Sequence, residues 1–230
     1  MGETAGDLIS QTLNLGYRGS TLLLIGFFVV AVVISLFSKS QKPVLYWTII
    51  TLASTAGTTL SDYLTRTFFR DFLGYSEQEG YLFGTILLIF ILIILFKIWY
   101  YFSKSNVLKE VLNKKLEALY WLIFLISSTF GTVFGDFLAH NTPLGFDGGT
   151  LLLVFLLIVV FIIYFFTKTS KQVCYWLAII FTHPIGATTG DYLTKPEGLN
   201  LGNIIASLVL IGVFALVILI GKFDKKPNTY

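Results

Sequence analysis

The chain has 230 residues, 55% of them hydrophobic and 13% charged, with a formal net charge of +3 and a mean hydropathy of +0.80. Soluble domains carry roughly 25% charged residues, so this deficit, together with long apolar runs, excludes an ordinary soluble globule and predicts an integral membrane protein. Its spans must be helical, because backbone groups in lipid have to bond within their own segment, and the apolar runs are too continuous for the alternating strands of a membrane barrel.

Residues 1–14 carry an acid motif, Gly2-Glu3-Thr4-Ala5-Gly6-Asp7, followed by Gln11, Thr12 and Asn14. This stretch is too short to span and predicts a short N-terminal half-helix. Full spans are predicted over 19–38, 43–66, 80–102, 117–139, 149–167, 172–194 and 201–222, which makes seven. Pro43 suits the first turn of the second span. Residues 67–79, with Asp71, Glu77 and Glu79, predict a polar loop. Residues 103–116 form the longest basic connection, predicted as a short cytoplasmic surface helix between one half (1–102) and the other (117–230). The single cysteine, Cys174, excludes an intramolecular disulfide. No basic stretch ahead of an apolar core marks a cleavable signal peptide.

The acid motif recurs. Gly57-Thr58-Thr59-Leu60-Ser61-Asp62, Gly131-Thr132-Val133-Phe134-Gly135-Asp136 and Gly186-Ala187-Thr188-Thr189-Gly190-Asp191 all read Gly-x-x-x-(Gly or Ser)-Asp. Sixteen residues before the last three acids stand Tyr46, Tyr120 and Tyr175, each followed by Trp47, Trp121 or Trp176. The repeat unit is thus an acid-bearing helix, a loop and a plain apolar helix, and the chain holds four units. Met1 falls where the other copies are already mid-helix. The first repeat is expected to be truncated, because a helix starting at membrane depth leaves its first amides unpaired.

Basic residues orient the spans. Lys39, Lys42, Lys97, Lys104, Lys109, Lys114, Lys115, Lys168, Lys171, Lys222, Lys225 and Lys226 fall on one side; Arg18, Arg66, Arg70 and Lys195 fall on the other. The first side is expected to be cytoplasmic, with the C-terminus inside. The Tyr-Trp pairs then lie at the cytoplasmic interface, where amphipathic aromatics settle.

At 1.5 Å per residue each Asp lies ~24 Å from its Tyr-Trp level, in the outer part of a hydrocarbon core roughly 30 Å thick. Helical spacing puts the residues eight and four before each Asp on its face. These stripes read Ser54, Thr58, Asp62; Ser128, Thr132, Asp136; His183, Ala187, Asp191; and Glu3, Asp7, with Thr188 adding a hydroxyl. An intramembrane carboxylate costs ~2.5–3.5 kcal/mol on insertion scales, so four at one register predict a polar interior. Carboxylates suit hard divalent cations, and Mn²⁺ and Fe²⁺ also accept imidazole. The small pairs Gly2 and Gly6, Gly57 and Ser61, Gly131 and Gly135, and Gly186 and Gly190 are four apart, the spacing that lets helix backbones approach. The acid helices are therefore expected to pack on one another, with the plain spans facing lipid. Pro184 predicts a kink and a freed carbonyl. Plainer roles compete: packing alone for the glycines, interfacial capping for the acids, a hydrogen-bonded packing role for His183, and back-bonding for Thr58 and Thr132.

On these residues the chain resembles a bacterial family of membrane proteins built from a four-copy repeat of unknown function, the uncharacterised membrane-anchored proteins. The resemblance runs from Tyr46-Trp47 to Asp62-Tyr63-Leu64, from Tyr120-Trp121 to Asp136-Phe137 and from Tyr175-Trp176 through His183-Pro184 to Asp191-Tyr192, with Gly2-Glu3 to Asp7 as the first copy. It implies a multi-pass protein of the bacterial inner (plasma) membrane and, through some relatives, a link to manganese export.

The leading expectation is a cation transporter, with Mn²⁺ as substrate and proton coupling, in which Glu3, Asp7, Asp62, Asp136, Asp191 and His183 bind the ion or protons. No tightly bound cofactor is expected. The expected partners are the bilayer and a small cation, not nucleic acid, and a homo-oligomer is left open. The alternative is a structural or sensory membrane module whose acids serve packing and assembly. A retinal-type photoreceptor would need a deep lysine, and Lys97 and Lys222 lie at helix ends. No enzyme is expected: there is no HExxH motif or paired nucleophile and base, and His140 and His183 occupy different helices.

Overall fold

The computed structural model describes residues 1–38, 42–102 and 114–223, and among these the chain is all-α, with no strand. The helices are α1 (Gly2–Asp7, extended by Leu8–Thr12), α2 (Gly16–Phe37), α3 (Pro43–Asp62, extended by Tyr63–Phe72), α4 (Glu77–Phe102), α5 (Lys114–Asn141), α6 (Gly145–Phe166), α7 (Lys171–Thr194) and α8 (Gly202–Phe223). Of the connector expected over 103–116, residues 103–113 lie outside the described residues, and 114–116 open α5. Lys39, Lys104, Lys109, Lys225 and Lys226 also lie outside them.

Local chemistry sets the helix ends. Lys42 is extended and Pro43 opens α3, since proline's fixed φ suits a first turn that needs no amide donor. Ahead of α4, the Ser76 amide and hydroxyl donate to Glu79 (2.8 and 2.7 Å) and the Glu79 amide donates to Ser76 Oγ (3.3 Å), a reciprocal cap. In each copy the plain helix follows a left-handed glycine: Gly16 (φ 68°), Gly74 (78°), Gly145 (61°) and Gly202 (70°). Only glycine takes this turn without a Cβ penalty.

The expected loop over 67–79 is shorter than the sequence suggests. Tyr63–Phe72 is helical with wide, π-type turns, as is Leu8–Thr12, and both segments begin right after the acid of their copy. Leu13 and Leu73 amides donate five residues back, to Leu8 and Phe68. Aromatic packing holds the second segment: Phe68 lies 5.4 Å from Phe69 and 5.9 Å from Phe72, and Phe69 touches Tyr75 and Phe83. Its charges alternate with rings, so it is amphipathic rather than simply polar.

Among the described residues, four helices are long and apolar enough to cross a membrane: Gly16–Phe37, Glu77–Phe102, Lys114–Asn141 and Gly145–Phe166. α8 adds a shorter apolar stretch, Gly202–Ile218. α3 and α7 are not in this set; they carry the Ser, Thr and Asp stripes that lower their hydropathy. The plain helices α2, α4, α6 and α8 leave Phe27, Phe90, Phe155 and Leu208 exposed on their outer faces, an apolar exterior of the kind that contacts lipid.

The four acid-bearing helices form an inner ring. α1 packs on α3, α3 on α5, α5 on α7, and α7 returns to α1. Each plain helix lies against the acid helix of the following copy: α2 on α3, α4 on α5, α6 on α7 and α8 on α1. The small residues make the ring by a head-to-tail rule. The glycine five before each acid meets the residue eight before the next: Gly2 meets Ser54, Gly57 meets Ser128, and Gly131 meets His183. The glycine one before the acid meets the residue four before the next, as Gly6 meets Thr58, Gly135 meets Ala187, and Gly190 meets Glu3. Gly186 departs from the expected packing role, with nothing within 4 Å of where a Cβ would stand. Its counterpart position, eight before Asp7, lies ahead of Met1.

The Tyr-Trp pairs follow the same rule. Tyr46 packs on Trp121 (5.6 Å) and Tyr120 on Trp176 (5.5 Å). Trp121 and Trp176 are buried, whereas Trp47 is exposed. The pairs expected at the membrane interface thus serve equally as the seam between neighbouring acid helices.

Candidate functional site

Inside the ring, residues spaced by four stack into levels. The acids form one level, and all are buried: Asp7 is 3% exposed, Asp62 4%, Asp136 5% and Asp191 2%. Four residues earlier stand Glu3, Thr58, Thr132 and Ala187. Four earlier again stand Ser54, Ser128 and His183.

Glu3 is the pivot. Its Oε2 accepts from Thr132 (2.8 Å) and Thr58 (3.1 Å), whose hydroxyls are 3.4 Å apart. The two threonine hydroxyls thus hold this carboxyl oxygen in place. One carboxylate oxygen from each of Glu3, Asp7 and Asp191 lies within 4.8 Å of the other two. Two unit charges at that separation repel by roughly 3 kcal/mol at an effective dielectric near 20. The cluster therefore calls for positive charge, whether metal, ammonium or proton.

The other expected residues are placed differently. Asp62, Asp136 and His183 are not part of this three-carboxylate group, although all line the same ring. His183 packs edge-on to Phe124 (4.9 Å), and its Nδ1 donates to Ile179 O (2.9 Å), which leaves Nε2 as the neutral ring's acceptor. Ser128 Oγ donates to Ser54 O (3.3 Å). Thr188 turns away from the stripe: it accepts from Thr150 of α6 (2.7 Å) and donates to Pro184 O (3.0 Å). α7 is helical without interruption through Pro184.

Beside the cluster lies a cavity of ≈330 Å³, lined by Glu3, Ser54, Thr58, Ser128, Thr132 and His183 on its polar side, and by Ile50, Phe124 and Ile179 on its apolar side. At about 30 Å³ per water in the liquid, it has room for an ion with much of its hydration shell. Farther down the same stripes, Tyr120 and Tyr175 share a hydroxyl hydrogen bond of 2.7 Å.

Four further residues stand one turn beyond the acids, and three of them bind their acid. The residues four after the acids are Gln11, Arg66, His140 and Lys195. Gln11 Nε2 donates to Asp7 Oδ1 (2.7 Å), Arg66 Nε to Asp62 Oδ1 (3.1 Å), and Lys195 Nζ to Asp191 Oδ2 (2.7 Å). His140 stacks on Tyr81 (5.6 Å). Arg66 also binds Glu77 (2.9 Å) and donates to the Tyr81 hydroxyl (3.2 Å), tying α3 to α4. In the sequence, Arg66 and Lys195 count only as loop charges. The signal that finds them is the helical i,i+4 spacing from acid to base. Even with these partners, Asp62 Oδ2 and Asp191 Oδ1 are buried with no hydrogen-bond partner among the described residues.

No curated protein and no solved structure matches the chain. A family model does, described as Repeat of Unknown Function (DUF347), over residues 1–41, 45–105, 119–170 and 174–226. Each match spans one acid-bearing helix and the plain helix after it, so the four matches coincide with the four units of the ring. The chain belongs to the family built from this repeat.

Proposed function

We propose that the protein is a membrane transporter for a cation, with a divalent metal such as Mn²⁺ as substrate and export as the direction of movement. In this reading all seven long helices span the bacterial plasma membrane behind the short α1, with the C-terminus in the cytoplasm. The observation that carries it is the convergence of Glu3, Asp7 and Asp191 within 4.8 Å, next to a cavity of ≈330 Å³ and with a buried oxygen of Asp191 lacking a partner among the described residues. Three hard oxygen donors suit Mn²⁺ or Mg²⁺ more than a soft-ligand ion. The hydroxyls of Thr58 and Thr132 hold Glu3 in place, and the cavity admits the ion still hydrated. Carboxyls that trade a proton for a metal ion couple the two flows.

The test is metal accumulation in cells with and without the protein, across Mn²⁺, Fe²⁺, Zn²⁺ and Mg²⁺. Expression should lower Mn²⁺ content, and Asp191→Asn should abolish the effect while the protein still folds. Asp62→Asn and Asp136→Asn should do the same if those acids relay protons. Wild-type Mn²⁺ export by Asp191→Asn would overturn the reading.

One observation favours the alternative of a structural membrane module: the Asp62–Arg66–Glu77–Tyr81 network joins two helices and has no need of a substrate. That reading expects Asp191→Asn to unfold the protein or alter its assembly, with no metal bound by the wild type.

A further inference from the structure

The geometry points to Lys195 as a tethered cation that holds the metal site when no metal is there, and that an arriving ion must displace. This rests on the reading of Glu3, Asp7 and Asp191 as the cation site.

Four observations meet on this lysine. Its Nζ lies 2.7 Å from Asp191 Oδ2, so it takes one oxygen of a carboxylate that the cluster needs. The three carboxylates of the cluster lie within 4.8 Å of one another, and close negative charges without a counter-ion repel strongly; the ammonium supplies that counter-charge from the chain itself. It stands at the C-terminal end of α7, just after Thr194, with 26% of its side chain exposed. From there a long, flexible stem can lean outward, as lysines at helix ends do. Finally, the ammonium has support besides Asp191: the Phe146 ring already lies 5.6 Å from Nζ, within range of a cation–π contact, and the carbonyls ending α7 favour a positive charge.

The equivalent cation in the second copy behaves differently, and the contrast sharpens the assignment. Arg66 is held by Asp62, Glu77 and the Tyr81 hydroxyl together. Moving it would leave the buried Asp62 without its cation. Among the described residues Lys195 has one carboxylate partner, Asp191, and that partner belongs to the cluster. The same register thus carries a fixed cation in one copy and a releasable one in the other. A divalent ion seated among Glu3, Asp7 and Asp191 would repel an ammonium still on Asp191 Oδ2. Binding the metal therefore means exchanging one cation for another, which weakens affinity and eases release. Lys195 sets how tightly the ion is held without itself being a ligand.

The experiment measures Mn²⁺ binding to the purified full-length chain in detergent, by loss of the free-ion electron paramagnetic resonance signal, for wild type, Lys195→Gln and Lys195→Arg. Lys195→Gln keeps a donor for Asp191 and removes the charge. It should bind Mn²⁺ at least about tenfold more tightly, and in vesicles it should lower both KM and the maximal rate, since release slows. Lys195→Arg should return to near wild-type affinity. Wild-type binding with an unchanged or weaker Kd in Lys195→Gln would overturn the tethered-cation role and leave the transport reading standing. Absence of Mn²⁺ binding in wild type and both variants would overturn the transport reading and this inference with it.

Discussion

At the scale of single residues, the glycines of the ring differ in what they tolerate. A Cβ on Gly131 would overlap the His183 side chain and approach the Pro184 nitrogen at 2.9 Å, and neither can shift without moving α7. Gly131→Ala should cost about 1–3 kcal/mol, the usual range for forced overpacking, seen as a lower melting temperature in detergent. Gly186 carries the same motif position but faces open space. Gly186→Ala should be neutral or stabilise by about 0.5–1 kcal/mol, the helix preference of Ala over Gly. Equal losses in the two variants would contradict the packing described. The sequence shows both glycines in one register and cannot tell them apart, because the difference lies in the partner each one meets across the ring. It likewise shows His183 as the odd member of its stripe. The ring's contacts with Phe124 and Ile179 O are what make it a wall of the cavity rather than a member of the carboxylate group.

Among helices, the four-residue repeat has a mechanical meaning. Residues four apart drift around a straight helix, and rows at that spacing stay in contact when neighbouring helices cross with a right-handed tilt. The glycine pairs make this close approach available at each joint, and the acid, threonine and tyrosine levels ride on the same seam. The acid register is therefore legible from the sequence, whereas which of the acids converge is not. The π-type segment after Asp62 is hidden for a different reason: its phenylalanines pack on one another and on Tyr75 and Phe83, contacts that residue polarity does not reveal. Arg66 anchors that segment to α4. Arg66→Gln should destabilise by about 1–3 kcal/mol in thermal melts, below the 3–5 kcal/mol of a fully buried pair, because the guanidinium side chain is 20% exposed. Adding Asp62→Asn should recover part of the loss, since Asp62 then no longer needs its cation. A double variant less stable than wild type by the full sum of the two single losses would exclude the coupling.

For the whole molecule, the ring is testable by cross-linking. Thr58 and Thr132 hydroxyls are 3.4 Å apart on α3 and α5, and Cys174 is the only native cysteine. With Cys174→Ala as background, Thr58→Cys and Thr132→Cys should form a disulfide on mild oxidation, detected by mass spectrometry of the digested chain. A pair without a disulfide would place these helices elsewhere. Four units were countable from the sequence, as was their two-helix make-up. Their closure into a ring rests on Gly190 meeting Glu3, a contact across nearly the full chain length that no local pattern announces. That closure also sets a timetable. Chains are made and inserted from the N-terminus onward, and the three-carboxylate group draws Glu3 and Asp7 from the first helix but Asp191 from the seventh. No nascent chain that stops short of α7 can assemble it. The three-carboxylate group therefore exists only once the last quarter of the chain is in place.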